Sequence, residues 1–375
     1  MAVSRRILLS LLIIVLVISG TSSPSVPQIT VKDSLGRQVR IPARVERIVC
    51  LQPELLRILV ALGQQDKVVA VDRFPARYDH LLPIIFPGVS GLPVVSVTGE
   101  DARVEAILQL EPDLVLVSPS EFSLSRNLSR KLNCPVVSLS AAGKIDDLLA
   151  EIEILSRITG SEKRGHDLTD YMRSRLADIK DRAQKIPPAE RPLVYLSFWG
   201  SLLRSPVNYE PVDLAGGRNL ASHFRGVYQG SDTTVLKLET LLSLDPKIIL
   251  VHGNYLPAER TVTVETVLSD PRLQTIRAVR ERKVYYTFGF WYWWDPALVL
   301  VECLYLSELL HSGPPDSQAM ISSGDEIFAF FYGRPGLFRL AEKCRLSTRS
   351  SKFSYLTRSR STLICMPNSS WSWPY

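Results

Sequence analysis

The chain has 375 residues, of which 46% are hydrophobic and 22% charged. This composition is typical of globular proteins and excludes a mainly disordered or collagen-like chain, while the length predicts two or three domains. The formal charge of +6 comes from the two ends of the chain: Arg5 and Arg6 contribute +2, the five cations from Arg345 onward contribute +5, and residues 24–344 are left at −1. This nearly neutral body argues against nucleic acid as a partner, because a nucleic-acid-binding domain needs basic charge where it docks.

The first 23 residues have the pattern of an export signal. Arg5 and Arg6 precede the apolar run 7–18, and small polar residues follow it. A positive start, a short apolar segment and a small-residue exit predict a signal peptide over residues 1–23. The apolar run is shorter than the roughly 20 residues that cross a bilayer as a helix. Retention of the segment as an uncleaved anchor remains the alternative.

Short strands that alternate with helices follow the signal. Alternating polar and apolar residues at 29–32 and 38–41, around a turn that contains Gly36, predict a β-hairpin. Apolar runs then predict strands at 47–51, 67–71, 94–97, 114–117 and 136–139, with helices at 53–62 and 104–110 between them. This alternation predicts crossover units around a parallel sheet.

A wholly helical stretch interrupts this alternation from residue 142 to residue 187. Apolar residues recur there at intervals of three and four, and Pro187 and Pro188 end the pattern. We expect one long helix that bridges two lobes. Beyond it, strands are predicted at 193–196, 248–251 and 284–286.

An internal repeat connects the two halves of the chain. Val104–Val117 aligns without a gap with Leu238–Val251, and the Glu, Leu, Leu, acidic, Pro and Val positions coincide. Each copy predicts an amphipathic helix, a proline turn and a buried strand. Because one copy lies on each side of the helical stretch, we expect an α/β fold in which two similar lobes with parallel central sheets are joined by one long helix.

Several short motifs occur in a fixed order between residues 29 and 311. They include Asp33–Arg37, Glu46–Val49, Ala61–Gly63, Val68–Val71, Glu105–Val117, Gly216–Asn219, Glu239–Val251 and Val279–Tyr285. In this order they resemble the periplasmic substrate-binding proteins of ABC importers for iron–siderophore complexes and cobalamin. The resemblance implies an N-terminal lobe at 24–141, a bridging helix at 142–187, a C-terminal lobe at 188–345 and a ligand in the cleft between the lobes.

The resemblance also implies a partner and a location. In this family an exposed glutamate on the corresponding helix of each lobe docks to the permease, and the matching positions here are Glu105 and Glu239. The alternative is that both are ordinary solvated acids on a helix surface. We expect a monomer that is exported to the periplasm or to the outer face of the cytoplasmic membrane.

The residues from 346 to 375 resemble nothing in that family. This basic tail is rich in Ser, Thr and Arg and lacks sustained periodicity. We expect it to be disordered, and a shifted reading frame would also explain its lack of acids.

Candidate ligand contacts lie in the loops that follow the strands, where open α/β sheets bind their ligands. These candidates are Arg73, Trp199, His252, Tyr255, Trp291, Tyr292, Trp293 and Trp294. An aromatic floor with few polar anchors suits a large, flat or chelated ligand, although some of these rings are expected to pack in the core. Arg73 supplies charge for an anionic complex or forms a surface ion pair.

The histidines and cysteines form no cluster with metal-ligand spacing, so we expect no bound metal and no disulfide can be assigned. A metal that is already chelated needs no protein ligands, which favours a siderophore or corrinoid over a free ion; haem is a further alternative. No catalytic motif or cofactor signature is present, so we expect a binding protein. An exported enzyme is the alternative from a different class.

Overall fold

The computed structural model describes residues 28–73, 79, 81–96, 103–119, 122–141, 143–198, 200–226, 233–253, 262–287 and 295–340. The predicted signal peptide and the predicted basic tail lie outside these ranges. No helix within the described ranges is long and apolar enough to cross a membrane.

The chain begins with the predicted hairpin, formed by β1 (Gln28–Lys32) and β2 (Gln38–Pro42), which pair antiparallel. The side chain of Asp33 organises the turn, because its Oδ1 accepts the N–H groups of Leu35 and Arg37 at 3.1 and 2.9 Å. Gly36 has a φ of 76°, a left-handed conformation that favours glycine.

The N-terminal lobe is built on a five-stranded sheet in which every pairing is parallel, in the order β5-β4-β3-β6-β7. Its strands are β3 (Ile48–Cys50), β4 (Val68–Asp72), β5 (Val94–Ser96), β6 (Leu114–Val117) and β7 (Val136–Ser138). Its helices are α1 (Pro53–Ala61), α2 (Leu82–Ile85), α3 (Val104–Gln109) and α4 (Phe122–Lys131). The predicted parallel sheet is confirmed.

The helical bridge differs from the prediction in one respect, because residues 142–187 do not form one continuous helix. They contain α5 (Ile145–Thr159) and α6 (Glu162–Gln184), separated by Gly160, which adopts a left-handed φ of 71°. The two helices pack side by side, and a Cβ on Gly165 would lie 2.4 Å from the Cβ of Ser156. The long connecting helix is therefore α6 alone, about 35 Å at 1.5 Å per residue.

The C-terminal lobe has a four-stranded sheet, again with parallel pairing throughout, in the order β10-β8-β12-β13. The strands after α6 are β8 (Leu193–Ser197), β9 (Arg204–Pro206), β10 (Arg218–Asn219), β11 (Thr233–Val235), β12 (Ile248–Val251) and β13 (Val284–Tyr286). The helices are α7 (Glu210–Leu214), α8 (Leu238–Leu244), α9 (Val264–Ser269), α10 (Arg277–Arg280), α11 (Pro296–Ser312) and α12 (Ser317–Tyr332). Strands β9 and β11 form a separate antiparallel pair.

The internal repeat is reproduced at the level of single residues. The β6 and β12 strands begin and end at equivalent positions of the alignment. The acid that follows each repeat helix, Glu111 or Asp245, adopts a left-handed φ of 44° or 42°. Few non-glycine residues occupy this region, so its recurrence at matched positions confirms that the two lobes repeat one helix–turn–strand unit.

Each sheet lies between a core shared by both lobes and a core of its own. In β6, Leu114 and Leu116 face the shared core, while Val115 and Val117 face the private core of the N-terminal lobe. The β12 strand repeats this alternation: Ile248 and Leu250 face the shared core, whereas Ile249 and Val251 face the other private core. Helices α1, α5, α6, α11 and α12 supply much of the shared core, which joins the lobes into one hydrophobic body.

Candidate functional site

The carboxyl edges of the two sheets carry the candidate site. Because neighbouring strands are parallel, the residues that follow them meet at one edge of each sheet. In the N-terminal lobe these residues include Gln52, Arg73 and Ser118. In the C-terminal lobe they are Phe198, which follows β8, His252, which follows β12, and Thr287, which follows β13.

His252 lies at the predicted edge and is buried, with only 3% of its surface exposed. Its backbone N–H donates to the carbonyl of Ser197 at 3.0 Å, which extends the pairing of β12 with β8 by one residue. Its ring packs on Phe198, with the ring centroids 4.5 Å apart. His252 is therefore packed against an aromatic ring at this edge, and its contact with a ligand stays a prediction.

Gly253 controls how closely the ends of β12 and β13 approach each other. Its N–H donates to the Thr287 hydroxyl at 3.2 Å, and a Cβ at this position would lie 2.1 Å from the Thr287 carbonyl oxygen. Only glycine fits this contact without a shift of the backbone. The sequence reading missed this residue, since a lone glycine after a strand looks like any loop glycine.

The other predicted ligand residues divide into two groups. Arg73 directly follows β4 and is exposed, so its charge faces solvent at the carboxyl edge. The remaining candidates lie outside the described residues and stay predictions: Trp199, Tyr255, Trp291, Tyr292, Trp293 and Trp294.

The predicted docking glutamates occupy equivalent and exposed positions. Glu105 is the second residue of α3, and Glu239 is the second residue of α8. Each helix ends next to the start of the strand that follows it, so its N-terminal end lies toward the carboxyl edge of its sheet. An acid in the first turn also stabilises a helix through the macrodipole, which is the ordinary structural explanation for such a residue.

A buried ionic cluster that the sequence reading missed lies beside this edge. The guanidinium of Arg57, in α1, binds both carboxylate oxygens of Asp79, at 2.6 Å from Nε and 2.8 Å from Nη2. Its Nε also lies 3.5 Å from Oδ2 of Asp295, at the start of α11. The Tyr332 hydroxyl donates to the same Asp295 oxygen at 2.5 Å. No local pattern connects residues so far apart in the sequence.

Burial and charge act against each other in this cluster. Burial raises the pKa of Asp79, and the neighbouring Arg57 only partly offsets that rise. Burial alone would lower the pKa of Arg57, but the carboxylates of Asp79 and Asp295 outweigh it and raise this pKa. The arginine therefore stays charged and is the shared counter-ion of two aspartates.

Another buried acid, Glu151, lies on α5, a helix whose apolar residues are part of the shared core. Its residue is 2% exposed, and neither carboxylate oxygen has a hydrogen-bond partner among the described residues. Burial, followed by repulsion from Glu54 and Asp147, raises its pKa well above the usual value. The folded protein therefore holds a proton on this carboxyl more tightly than a water-exposed chain does.

Metal-ligating side chains do not converge anywhere in the described part of the chain: no group of three or more His, Cys, Asp or Glu residues there could hold an ion. Cys50 and Cys303 are buried free thiols and Cys134 is a partly buried one. Burial raises the pKa of Cys50 to about 12, as expected for an inert core thiol.

Comparison with known proteins gives a family profile, described as periplasmic binding protein, that matches residues 48–288. The cobalamin-binding protein of Halobacterium salinarum is 28% identical over 226 residues, which are 59% of this chain and 58% of that protein. The uncharacterized ABC transporter substrate-binding lipoprotein YvrC of Bacillus subtilis is 26% identical over 221 residues, 56% of this chain and 66% of that protein. The chain thus spans less than two thirds of the length of these relatives.

The molybdate-binding protein MolA of Haemophilus influenzae is matched over more of its length. It is 25% identical over 339 residues, which cover 80% of this chain and 90% of that protein. Its structure with molybdate superposes with a TM-score of 0.68 at 19% identity and covers 82% of this chain and 98% of that one. The structural likeness establishes a shared two-lobed fold.

Proposed function

Because the chain belongs to the periplasmic binding protein family, we propose that it captures a metal chelate of the siderophore or corrinoid type between its lobes. It then delivers the chelate to the permease of an ABC importer. The observation that carries this proposal is the repeated unit, which gives each lobe a parallel sheet whose carboxyl edge holds candidate ligand residues. A solute held at both edges at once would contact both lobes.

The chemistry of the candidate residues favours a chelate over a bare ion. Arg73 is the exposed cation at one edge, and the predicted contacts at the other edge are mostly aromatic. Such a surface suits a large ligand that brings its own metal coordination. Among chelates, the cobalamin-binding relative favours a corrinoid over a siderophore, and haem is the alternative with similar flat geometry.

Delivery to a permease is supported by the two exposed glutamates. Glu105 and Glu239 lie toward the same edges as the candidate ligand residues, so one approach of the protein presents both the ligand and the charges. Paired charges at the rim of an interface set orientation and association rate more than affinity. The ABC transporter lipoprotein among the relatives supports this partner. We propose an extracytoplasmic location on the same grounds.

A second candidate function is the capture of a small oxyanion. The molybdate-binding relative is matched over 90% of its length, more than either relative described above it. Arg73 supplies an exposed positive charge at the carboxyl edge that an anion needs. This candidate keeps the fold, the lobes and the importer and changes only the solute.

Native mass spectrometry of the protein purified from its own host tests the proposal. We expect a retained ligand in one-to-one ratio, whose mass and metal isotope pattern identify a chelate. A retained molybdate-sized anion would favour the second candidate. Chemical conversion of the bound molecule during incubation would instead indicate an exported enzyme and contradict both.

A further inference from the structure

We propose that Arg57 is a positioning residue that couples the two lobes beside the candidate site. Through its guanidinium, the segment that begins at Asp79 in the N-terminal lobe and the start of α11 in the C-terminal lobe hold each other in place. The coupling goes beyond the proposed function, since it concerns how local order in one lobe affects local order in the other.

The guanidinium of Arg57 is held in a fixed orientation. Arg57 lies in α1, which starts just after β3 at the carboxyl edge of the N-terminal sheet. Its two hydrogen bonds to Asp79 form a bidentate pair, which fixes the plane and direction of the guanidinium. This orientation brings Nε to 3.5 Å from Asp295 and places the guanidinium carbon 5.4 Å from the centre of the Tyr332 ring.

Each aspartate also holds the start of a helix in its own lobe, Asp79 that of α2 and Asp295 that of α11. Oδ1 of Asp79 accepts the N–H groups of Leu81 and Leu82, both at 3.0 Å, where α2 begins. Oδ1 of Asp295 accepts the N–H of Leu298 at 2.8 Å and so caps α11. Each aspartate therefore holds a helix start through Oδ1 and directs Oδ2 to the guanidinium of Arg57, and Oδ1 of Asp79 also accepts from Nη2.

All three ionic side chains of the cluster are buried. The side chains of Arg57, Asp79 and Asp295 are each exposed by 2% or less, so water cannot replace a lost partner. A buried ion that loses its partner carries a large uncompensated cost. If the bidentate pair with Asp79 is broken, the guanidinium loses its fixed direction, and the contact with Asp295 across the lobes weakens with it.

A consequence for binding rests on the proposed function. Asp295 immediately follows Trp294, and Asp79 lies six residues after Arg73, so both segments adjoin predicted ligand contacts. Coupling between two sites is reciprocal, so the free energy by which order in one segment stabilises the other equals that of the reverse effect.

The test is hydrogen exchange on the full-length protein with Asp79→Ser and Asp295→Ser. Serine keeps a capping oxygen but removes the charge that holds Arg57. With Asp79→Ser we expect the amides of Leu298 and Val299, in the other lobe, to exchange about tenfold faster. Asp295→Ser should produce the reciprocal increase at Leu81 and Leu82.

The matched control is Asp33→Ser. Asp33 is also a buried carboxylate held by an arginine, since Arg37 donates to it at 2.9 and 2.6 Å, but the pair lies within one lobe. This control should leave Leu298 and Val299 unchanged. Unchanged or slower exchange at these amides in Asp79→Ser, or an equal increase in the control, would overturn the proposal.

A second variant covers the case in which a serine variant folds poorly. Arg57→Lys keeps the positive charge but cannot form the bidentate pair, so exchange should increase at both helix starts, with no increase in β12. An increase in β12 of the same size would mean general unfolding and would contradict a specific coupling. Because no ligand is added, the proposed function can fail while the coupling stands.

Discussion

The two copies of the repeated unit agree in their scaffold and differ at the residues that follow it. Val104–Val117 and Leu238–Val251 share strand bounds, alternating burial and a left-handed acid before the proline. At the next two aligned positions, the N-terminal lobe has Ser118 and Pro119, whereas the C-terminal lobe has His252 and Gly253. The hydrophobic pattern is thus preserved where it builds the sheets, and the side chains diverge where the candidate site begins.

Both copies of the repeat have an exposed glutamate at the second residue of the helix, Glu105 in α3 and Glu239 in α8. Reversing both Glu105 and Glu239 to lysine should lower uptake of the solute by roughly a hundredfold, because two rim contacts that orient docking become repulsive. Each single reversal should cost less than the pair. Uptake assays together with ligand titration separate docking from binding.

The control for this prediction reverses Asp146 and Glu162, which are exposed acids in the first turns of α5 and α6. These changes should leave uptake near the wild-type level. Normal uptake by the Glu105 and Glu239 double variant would show that the two matched acids are solvated helix residues and nothing more.

The next largest effect is expected at Gly253, the second residue after β12, where the aligned residue after β6 is Pro119. Gly253→Ala should destabilise the fold by about 2–4 kcal/mol, since the added Cβ would overlap the Thr287 carbonyl oxygen at 2.1 Å. The aligned change in the other lobe, Pro119→Ala, should cost less than about 1 kcal/mol. Urea unfolding measures both.

Gly91→Ala is the matched control, because a Cβ at Gly91 would meet no atom of the described residues within 4 Å. It should be nearly neutral. If Gly253→Ala were equally neutral, the close approach of the β12 and β13 ends would not be a constraint on the site.

A further contrast with the exposed acids of the repeat is Glu151, a buried acid of α5. Its raised pKa means that the folded state binds its proton more tightly than the unfolded state, so this residue lowers stability as pH rises above about 4.5. Glu151→Gln should match the wild type near pH 4 and exceed it by about 1–3 kcal/mol at pH 8. Denaturant unfolding across this pH range provides the measurement, and equal stabilities at pH 8 would contradict a carboxyl whose pKa is raised by burial.

The two acids with left-handed φ, Glu111 and Asp245, give the smallest predicted effect. Glu111→Gly should stabilise the protein by about 0.5 kcal/mol, because glycine adopts positive φ without a steric cost. Asp245→Gly should gain less or lose stability, since Oδ1 of Asp245 accepts the N–H of Arg277 at 2.6 Å. Thermal unfolding of the two variants distinguishes these outcomes, and an equal gain in both would mean that this hydrogen bond contributes nothing.

Much of the scaffold could be predicted from the sequence because it depends on local patterns. Strands β6, β12 and β13 have the predicted bounds, since each is a short apolar run that contains β-branched or aromatic residues. The continuous bridge was wrong because the periodicity on both sides of Gly160 is the same, although Gly160 itself takes the left-handed conformation that ends α5.

The site could be predicted only in outline. The edge position of His252 and the exposed positions of Glu105 and Glu239 follow from the order of strands and helices. The cluster of Arg57, Asp79 and Asp295 could not be predicted, because Arg57 and Asp79 are 22 residues apart and Asp295 reaches them only when the two lobes pack. Likewise, the burial of His252 against a neighbouring ring depends on packing between strands rather than on local sequence.

Titration of the purified protein with candidate solutes distinguishes binding from chemical conversion. Cyanocobalamin, a ferric siderophore, haem and molybdate would each be added while the fluorescence of the six tryptophans is followed. We expect one of the three chelates to change the emission at micromolar concentration or below, with one-to-one stoichiometry, and to be recovered unchanged. A response to none of the chelates, or recovery of a chemically altered molecule, would contradict the proposed function.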